Sequence, residues 1–185
     1  MKTALIIVDI QNDYFLQGKW ELVGMYPAAQ NAKNLLEAFR EKGCPIFHIQ
    51  HVAKDPNAPF FVEGTEGVEI HKLVQPIGNE KVVLKEFANS FRDTSLLDDL
   101  HGAGVKRVVI CGGMTQNCID STTRAAFDLG FECVVVHDAC ATRNLVFYGH
   151  IIPALEVHCA FMAALDFAYA KVVPTISAIA LIESN

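Results

Sequence analysis

The apolar residues of this 185-residue chain fall into short runs, and longer stretches between them repeat apolar positions with helical spacing. Short runs of this kind are typical of buried strands, and the longer stretches are typical of amphipathic helices. Their alternation predicts an α/β fold with a mostly parallel sheet. The predicted strands are Thr3–Val8, Pro45–Gln50, Lys81–Leu84, Arg107–Cys111, Glu132–Val136 and Lys171–Val173.

Four helices are predicted between these strands. The first runs from Pro27 to Lys42. Its proline suits the first turn, and a glycine follows the last residue of the helix. The others are a short helix after Thr94, one over Asn117–Leu129 and a long one over Pro153–Tyr169. The last of these carries an apolar stripe of Leu155, Cys159, Met162 and Leu165.

Neither a linker nor a repeat divides the sequence, so we predict one domain over residues 1–185. The stretch Lys54–Val68 contains two prolines, two glycines and two adjacent phenylalanines. Such a composition predicts a structured loop, and we expect it to lie over the functional site.

Charge and hydropathy exclude several classes of partner. The net charge of −6 comes from 15 basic and 21 acidic residues scattered along the chain, which argues against nucleic-acid and membrane-surface partners. The apolar runs are too short to span a bilayer. The run Ala4–Val8 lacks a cleavage site after it, so it predicts a strand and not a signal peptide.

Five of the six cysteines fit a structural interpretation. Cys111, Cys133 and Cys159 fall on predicted strands or on a helical stripe, where a reduced cysteine behaves as a small hydrophobe. Cys44 and Cys140 are interpreted in the same way. Without an export signal or closely paired cysteines, we expect reduced thiols and a cytoplasmic protein.

Three reactive side chains follow predicted strands, where ligand sites form in parallel α/β sheets. Asp9 and Lys85 come directly after two of the strands. Cys118 ends the loop Gly112–Cys118 and is expected in the first turn of a helix, where free N–H groups and the helix dipole favour a thiolate. The two glycines of that loop permit the close backbone approach that an oxyanion hole requires.

Each of these residues also has an ordinary interpretation. Asp9 alone could form a turn, Lys85 alone could extend to solvent, and Cys118 alone could be a core residue at a helix start. Together they supply a carboxylate, an ammonium and a thiol, which suffice for nucleophilic catalysis without histidine. We therefore predict that Cys118 is a nucleophile, that Asp9 takes its proton, and that Lys85 orients Asp9.

The sequence resembles the isochorismatase-like cysteine hydrolases, which include nicotinamidase and N-carbamoylsarcosine amidase. The order and spacing of the matching stretches agree as well as their residue types. These stretches are Ala4–Phe15, Val83–Lys85, Asn89–Phe91, Gly112–Ala126 and Val135–Ala139.

The resemblance implies a three-layer α/β/α fold with a six-stranded parallel sheet and a catalytic triad of Asp9, Lys85 and Cys118. It also implies a cis peptide between Gly113 and Met114, with the N–H groups of Met114 and Cys118 forming the oxyanion hole. Members of this family usually assemble as dimers or tetramers, so we expect a homo-oligomer.

Nicotinamidases of this family bind a divalent ion through an Asp-x-His pair and a second histidine. Here the corresponding stretch reads His48-Ile49-Gln50-His51, so isoleucine stands at the carboxylate position. His71 resembles a helix-surface residue. We therefore expect no metal and no cofactor, and His51 either lines the pocket or is a hydrogen-bonded residue at a strand end.

We predict hydrolysis of an amide or related C–N bond of a small molecule through a thioester. Vinyl-ether hydrolysis without a cysteine nucleophile is an alternative, and a catalytically inactive binding or assembly module is another. The candidate substrate-binding residues are Gln11, Tyr14, Phe15, His51, Phe60, Phe61, Phe87, Asn117 and Tyr148.

Overall fold

The computed structural model describes residues 1–183 and is built around a six-stranded parallel sheet. The strand order is β3-β2-β1-β4-β5-β8, and every neighbouring pair runs parallel. A separate antiparallel hairpin joins β6 to β7. The strands are β1 (Thr3–Val8), β2 (Ile46–His51), β3 (Lys81–Lys85), β4 (Arg107–Gly113), β5 (Glu132–Ala141), β6 (Leu145–Phe147), β7 (His150–Ile152) and β8 (Lys171–Val173).

Helices cover both faces of the sheet. The α-helices are α1 (Met25–Glu41), α2 (Leu96–Gly102), α3 (Asp120–Asp128), α4 (Ala154–Ala168) and α5 (Thr175–Glu183). Alternate residues of β1 belong to different cores: Leu5 and Ile7 pack with α1 and α5, whereas Ile6 and Val8 pack with α2, α3 and α4. Because β1 is buried on both faces, its sequence after Thr3 is a continuous apolar run.

The α/β fold and its parallel sheet are confirmed, and the six predicted strands are all present. Strands β4 and β5 extend beyond their predicted ends, to Gly113 and Ala141. Helix α3 begins at Asp120, later than expected, because a π-helical turn over Thr115–Ile119 precedes it. Helix α5 and the β6–β7 hairpin were not predicted, since both are short segments without a decisive pattern of their own.

The predicted apolar stripe of α4 is only partly buried. Met162 and Leu165 lie in the core, but Leu155 is 73% exposed and Cys159 is also exposed. The expectation that Cys159 is a buried hydrophobe is therefore wrong. Helix α4 has apolar residues around most of its circumference, so their spacing could not define the buried face. Within residues 1–183, no helix combines the length and apolar character needed to cross a membrane.

Candidate active site

Four side chains meet at the carboxyl edge of the sheet. Asp9 follows β1, His51 and Lys85 end β2 and β3, and Cys118 lies in the π-helical turn after β4. The ammonium nitrogen of Lys85 is 2.7 Å from Asp9 Oδ2, 3.3 Å from Cys118 Sγ and 3.0 Å from His51 Nδ1. The structure thus brings together the three residues of the predicted triad and adds a histidine to them.

This cluster is shielded from water, which strengthens the interactions among its charges. The side chains of Asp9 and Lys85 are both 0% exposed, and Cys118 is 1% exposed. Burial lowers the pKa of Lys85, but attraction to Asp9 and Cys118 outweighs it, so the pKa is raised and the lysine stays charged. The geometry defines a buried ion pair with a thiol beside it.

Burial raises the pKa of the Cys118 thiol, and the Asp9 carboxylate raises it further. The Lys85 ammonium acts in the opposite direction without reversing the shift. In the resting site Cys118 is therefore a neutral thiol. A thiolate forms only when a proton leaves Cys118, and Asp9 is the adjacent acceptor.

The carboxyl end of β4 requires glycine at position 112. Gly112 has a φ of 128°, and a Cβ there would overlap the backbone carbonyl of Val8. The next peptide bond, between Gly113 and Met114, is cis, as the resemblance implies. Among the described residues, neither the Met114 nor the Cys118 N–H donates in the backbone hydrogen bonds that lie outside helices and strands. These N–H groups can serve as oxyanion donors.

Side chains from distant elements hold this loop in place. The Thr115 hydroxyl lies 3.3 Å from the carbonyl oxygen of Ala141 and 3.0 Å from His158 Nδ1 on α4. The Thr142 hydroxyl donates to the side-chain oxygen of Gln116. These supporting residues have no signal in the sequence because the partners lie 26 or 43 positions apart and form no local motif.

An aromatic cluster lies beside the site. Tyr14 packs against Phe60 and Phe61, with ring centroids 5.8 and 4.5 Å away. Trp20 stacks on Phe60 at 4.8 Å, and the Arg143 guanidinium lies 4.1 Å from the centre of the Trp20 ring. Burial raises the pKa of Tyr14, and the charge of Asp9 adds to that shift, so the phenol remains protonated.

The loop that contains Phe60 and Phe61 is attached to the site by a buried carboxylate. Asp13 Oδ2 accepts a 2.7 Å hydrogen bond from the N–H of Phe61, and Asp13 Oδ1 accepts one from the N–H of Lys19. The sequence offered no signal for this role of Asp13, since the loop partner lies 48 residues away.

The remaining candidate substrate-binding residues are widely distributed. Gln11 is fully buried and its carboxamide bonds to backbone groups, while Phe15 stacks on His71 with ring centroids 3.7 Å apart. Phe87 lies under the Arg92 guanidinium. Asn117 is exposed in the π-helical turn, and Tyr148 is 94% exposed at the tip of the β6–β7 hairpin.

The residues at the nicotinamidase metal position do not fit a divalent ion. Ile49 is buried in the core where that pattern has a carboxylate. His71 is half-buried, and its Nδ1 accepts a hydrogen bond from the N–H of Leu73. One donor atom each from Asp9, His51 and Cys118 lies within 4.8 Å of the others, but the Lys85 ammonium contacts all three side chains. The Lys85 ammonium therefore supplies the positive charge that a divalent ion would supply at this cluster.

A parallel α/β sheet with this cluster at its carboxyl edge defines a class of small-molecule hydrolases. Residues 3–166 match the Isochorismatase domain family, and the chain belongs to the isochorismatase family. The resemblance seen in the sequence is thereby confirmed.

Relatives and solved structures agree with this assignment. An uncharacterized isochorismatase family protein of Bacillus subtilis, YddQ, is 50% identical over 95% of this chain and 97% of its own. Nicotinamidase 3 of Arabidopsis thaliana is 29% identical over 92% of this chain and 83% of its own. The crystal structure of an isochorismatase-type hydrolase from Oleispira antarctica superposes with a TM-score of 0.94, at 50% identity over 97% of this chain and 96% of that one. The protein is a hydrolase of this family.

Proposed function

We propose that the protein hydrolyses an amide or related C–N bond of a small molecule through a Cys118 thioester. The observation that carries this proposal is the buried Lys85 ammonium in contact with both the Asp9 carboxylate and the Cys118 sulfur. A carboxylate, an ammonium and a thiol in mutual contact are suited to generating a thiolate only as it attacks.

In the first half-reaction, Cys118 Sγ forms a bond to the substrate carbonyl carbon while its proton passes to Asp9. The carbonyl electron pair moves to oxygen, and the N–H groups of Met114 and Cys118 stabilise the resulting oxyanion. When the tetrahedral intermediate collapses, the C–N bond breaks and protonated Asp9 gives its proton to the leaving amine. The products of this step are a free amine and a thioester on Cys118.

In the second half-reaction, Asp9 accepts a proton from water, and the hydroxide attacks the thioester carbonyl. The C–S bond then breaks, the acid is released, and the Cys118 sulfur regains a proton from Asp9. Lys85 stays charged throughout because its surroundings raise its pKa. It stabilises the negative charge wherever that charge lies, on Asp9 or on sulfur.

The aromatic cluster of Tyr14, Phe60, Phe61 and Trp20 supports a compact, partly planar substrate. One relative, a nicotinamidase, is named for such an amide. A reducing cytoplasmic setting belongs to the same proposal, since all six cysteines are free thiols and the mechanism requires Cys118 reduced.

Assembly into a homo-oligomer, a dimer or a tetramer, is also part of the proposal. Leu155 and Phe167 on α4 are 73% and 91% exposed, and Phe147 and Tyr148 on the adjacent hairpin segment are exposed as well. Exposed apolar residues of this size on neighbouring elements favour an interface between subunits.

A screen of primary amides and carbamoyl compounds, scored by ammonia release, tests the reaction. On any substrate found, Cys118→Ser is expected to lose at least about a hundredfold in kcat/KM, because the serine hydroxyl is far less acidic than the thiol. Intact-mass spectrometry should show one acyl adduct on the wild-type peptide that contains Cys118. Cys159→Ser, at an exposed cysteine away from the site, is the matched control and should retain full activity. Full turnover by Cys118→Ser would contradict the proposal and favour a cysteine-independent reaction.

A further inference from the structure

The buried Lys85 ammonium contacts three side chains, and one of them is His51. An ammonium carries three N–H donors and no acceptor, and a buried donor without a partner is costly. Asp9 Oδ2 forms an ion pair with the ammonium at 2.7 Å, and Cys118 Sγ and His51 Nδ1, at 3.3 and 3.0 Å, are its hydrogen-bond partners. The lysine thus has one contact to each of the three neighbouring side chains.

The contact fixes the protonation state of His51. A lysine ammonium only donates, so His51 Nδ1 must accept with its lone pair, and the ring proton must lie on Nε2. Burial lowers the pKa of His51, and the Lys85 charge lowers it further, which agrees with a neutral ring. Asp9 and Glu86 act on the pKa of His51 in the opposite direction without reversing the shift. Tyr14 also faces this cluster, and the charge of Asp9 raises its pKa.

Hydrogen bonds also fix the position of the His51 backbone. The Gln11 side-chain oxygen accepts from the N–H of His51 at 2.8 Å, and Gln11 Nε2 donates to the carbonyl of His51 at 2.9 Å. Gln11 Nε2 also donates to the carbonyl of Val68, in the loop beside the site. His51 is the β2 residue in register with Lys85 on β3. The sheet and Gln11 together therefore place the ring against the ammonium.

We propose that His51 is a positioning residue that holds the charged Lys85 ammonium beside Cys118, in place of any role as a metal ligand. This inference rests on the proposed cysteine mechanism. When the thiol proton moves to Asp9, the new charge on sulfur needs the ammonium within contact distance. An ammonium with one unpaired N–H would shift toward another acceptor or lose its proton, and either change would weaken its hold on the thiolate.

The test compares His51→Leu, which removes the acceptor, with His51→Gln, which retains one. The rate of Cys118 alkylation by iodoacetamide is measured from pH 5 to 10 by peptide mapping, which separates Cys118 from the other cysteines. We expect His51→Leu to slow alkylation near neutral pH by about tenfold and to move the profile to higher pH. His51→Gln should stay within about threefold of the wild type. His101→Leu makes the same change on the exposed end of α2 and should leave the profile unchanged.

Two further measurements do not depend on reactivity. Long-range ¹⁵N–¹H spectra of histidine-labelled protein, with His51 assigned from the His51→Gln variant, should show the neutral Nε2–H tautomer at pH 7. After exposure to zinc and desalting, the wild-type protein should retain no stoichiometric metal. An imidazolium, the Nδ1–H tautomer, one zinc ion per chain that His51→Leu abolishes, or a wild-type alkylation profile in His51→Leu would each overturn the proposal.

These outcomes are distinguishable from a failure of the proposed function itself. If Cys118→Ser keeps full turnover, the nucleophile assignment fails and so does the mechanistic part of this inference. The tautomer and the zinc content would then still report whether His51 serves the lysine or a metal.

Discussion

Replacing Lys85 with methionine should cost more stability than any other single loss of charge in the sheet. Asp9 and Lys85 are both 0% exposed and lie 2.7 Å apart. At that distance and an effective dielectric constant of about 20, their attraction is roughly 6 kcal/mol. Desolvation offsets part of this, and removal of one partner from a buried pair typically costs about 3–5 kcal/mol because a bare charge is left behind.

We therefore expect Lys85→Met to lower the free energy of unfolding at pH 7 by about 3–5 kcal/mol. Urea denaturation followed by the fluorescence of Trp20, at one fixed protein concentration, measures it. The double variant Asp9→Asn/Lys85→Met should recover part of the loss, because neither charge remains.

A matched control is available on the surface. Lys54 pairs with Glu86, but the two side chains are 67% and 48% exposed, so Lys54→Met should change stability far less than Lys85→Met does. A loss of stability in Lys85→Met as small as that in Lys54→Met would contradict this expectation. A double variant no more stable than Lys85→Met alone would contradict it as well.

Two other predictions concern pH and assembly. Burial raises the pKa of Glu80, but hydrogen bonds from Arg40, the N–H of Ile77 and His48 outweigh it and lower the pKa to about 2. The ionised form of Glu80 therefore stabilises the fold at pH values above its unfolded pKa near 4.3. Urea titrations should show Glu80→Gln to be about 2–3 kcal/mol less stable than the wild type at pH 7. The difference should vanish as the pH falls from about 4 to 2, and a difference that stays constant with pH would contradict this prediction. Light scattering should give a dimer or tetramer, and Phe167→Lys should weaken the assembly. A single 20.3 kDa species at micromolar concentration would contradict this prediction.

The strands and their order along the chain can be predicted from sequence alone. Runs such as Ala4–Val8 are apolar at every position, which is the pattern of a strand buried on both faces. Because parallel strands end at one edge of the sheet, the position of Asp9 and Lys85 after their strands already predicted that they would meet. The motif around Cys118 identified the third member of the cluster.

The side chains that contact those residues depend on tertiary packing. The hydrogen bond from Lys85 to His51 depends on the register of β2 against β3, and the contacts of Thr115 with Ala141 and His158 join segments far apart in the chain. No local spacing encodes such contacts. The exposed side of α4 escaped prediction for a related reason: a helix that is apolar nearly all round does not specify which face is buried, so packing makes that choice.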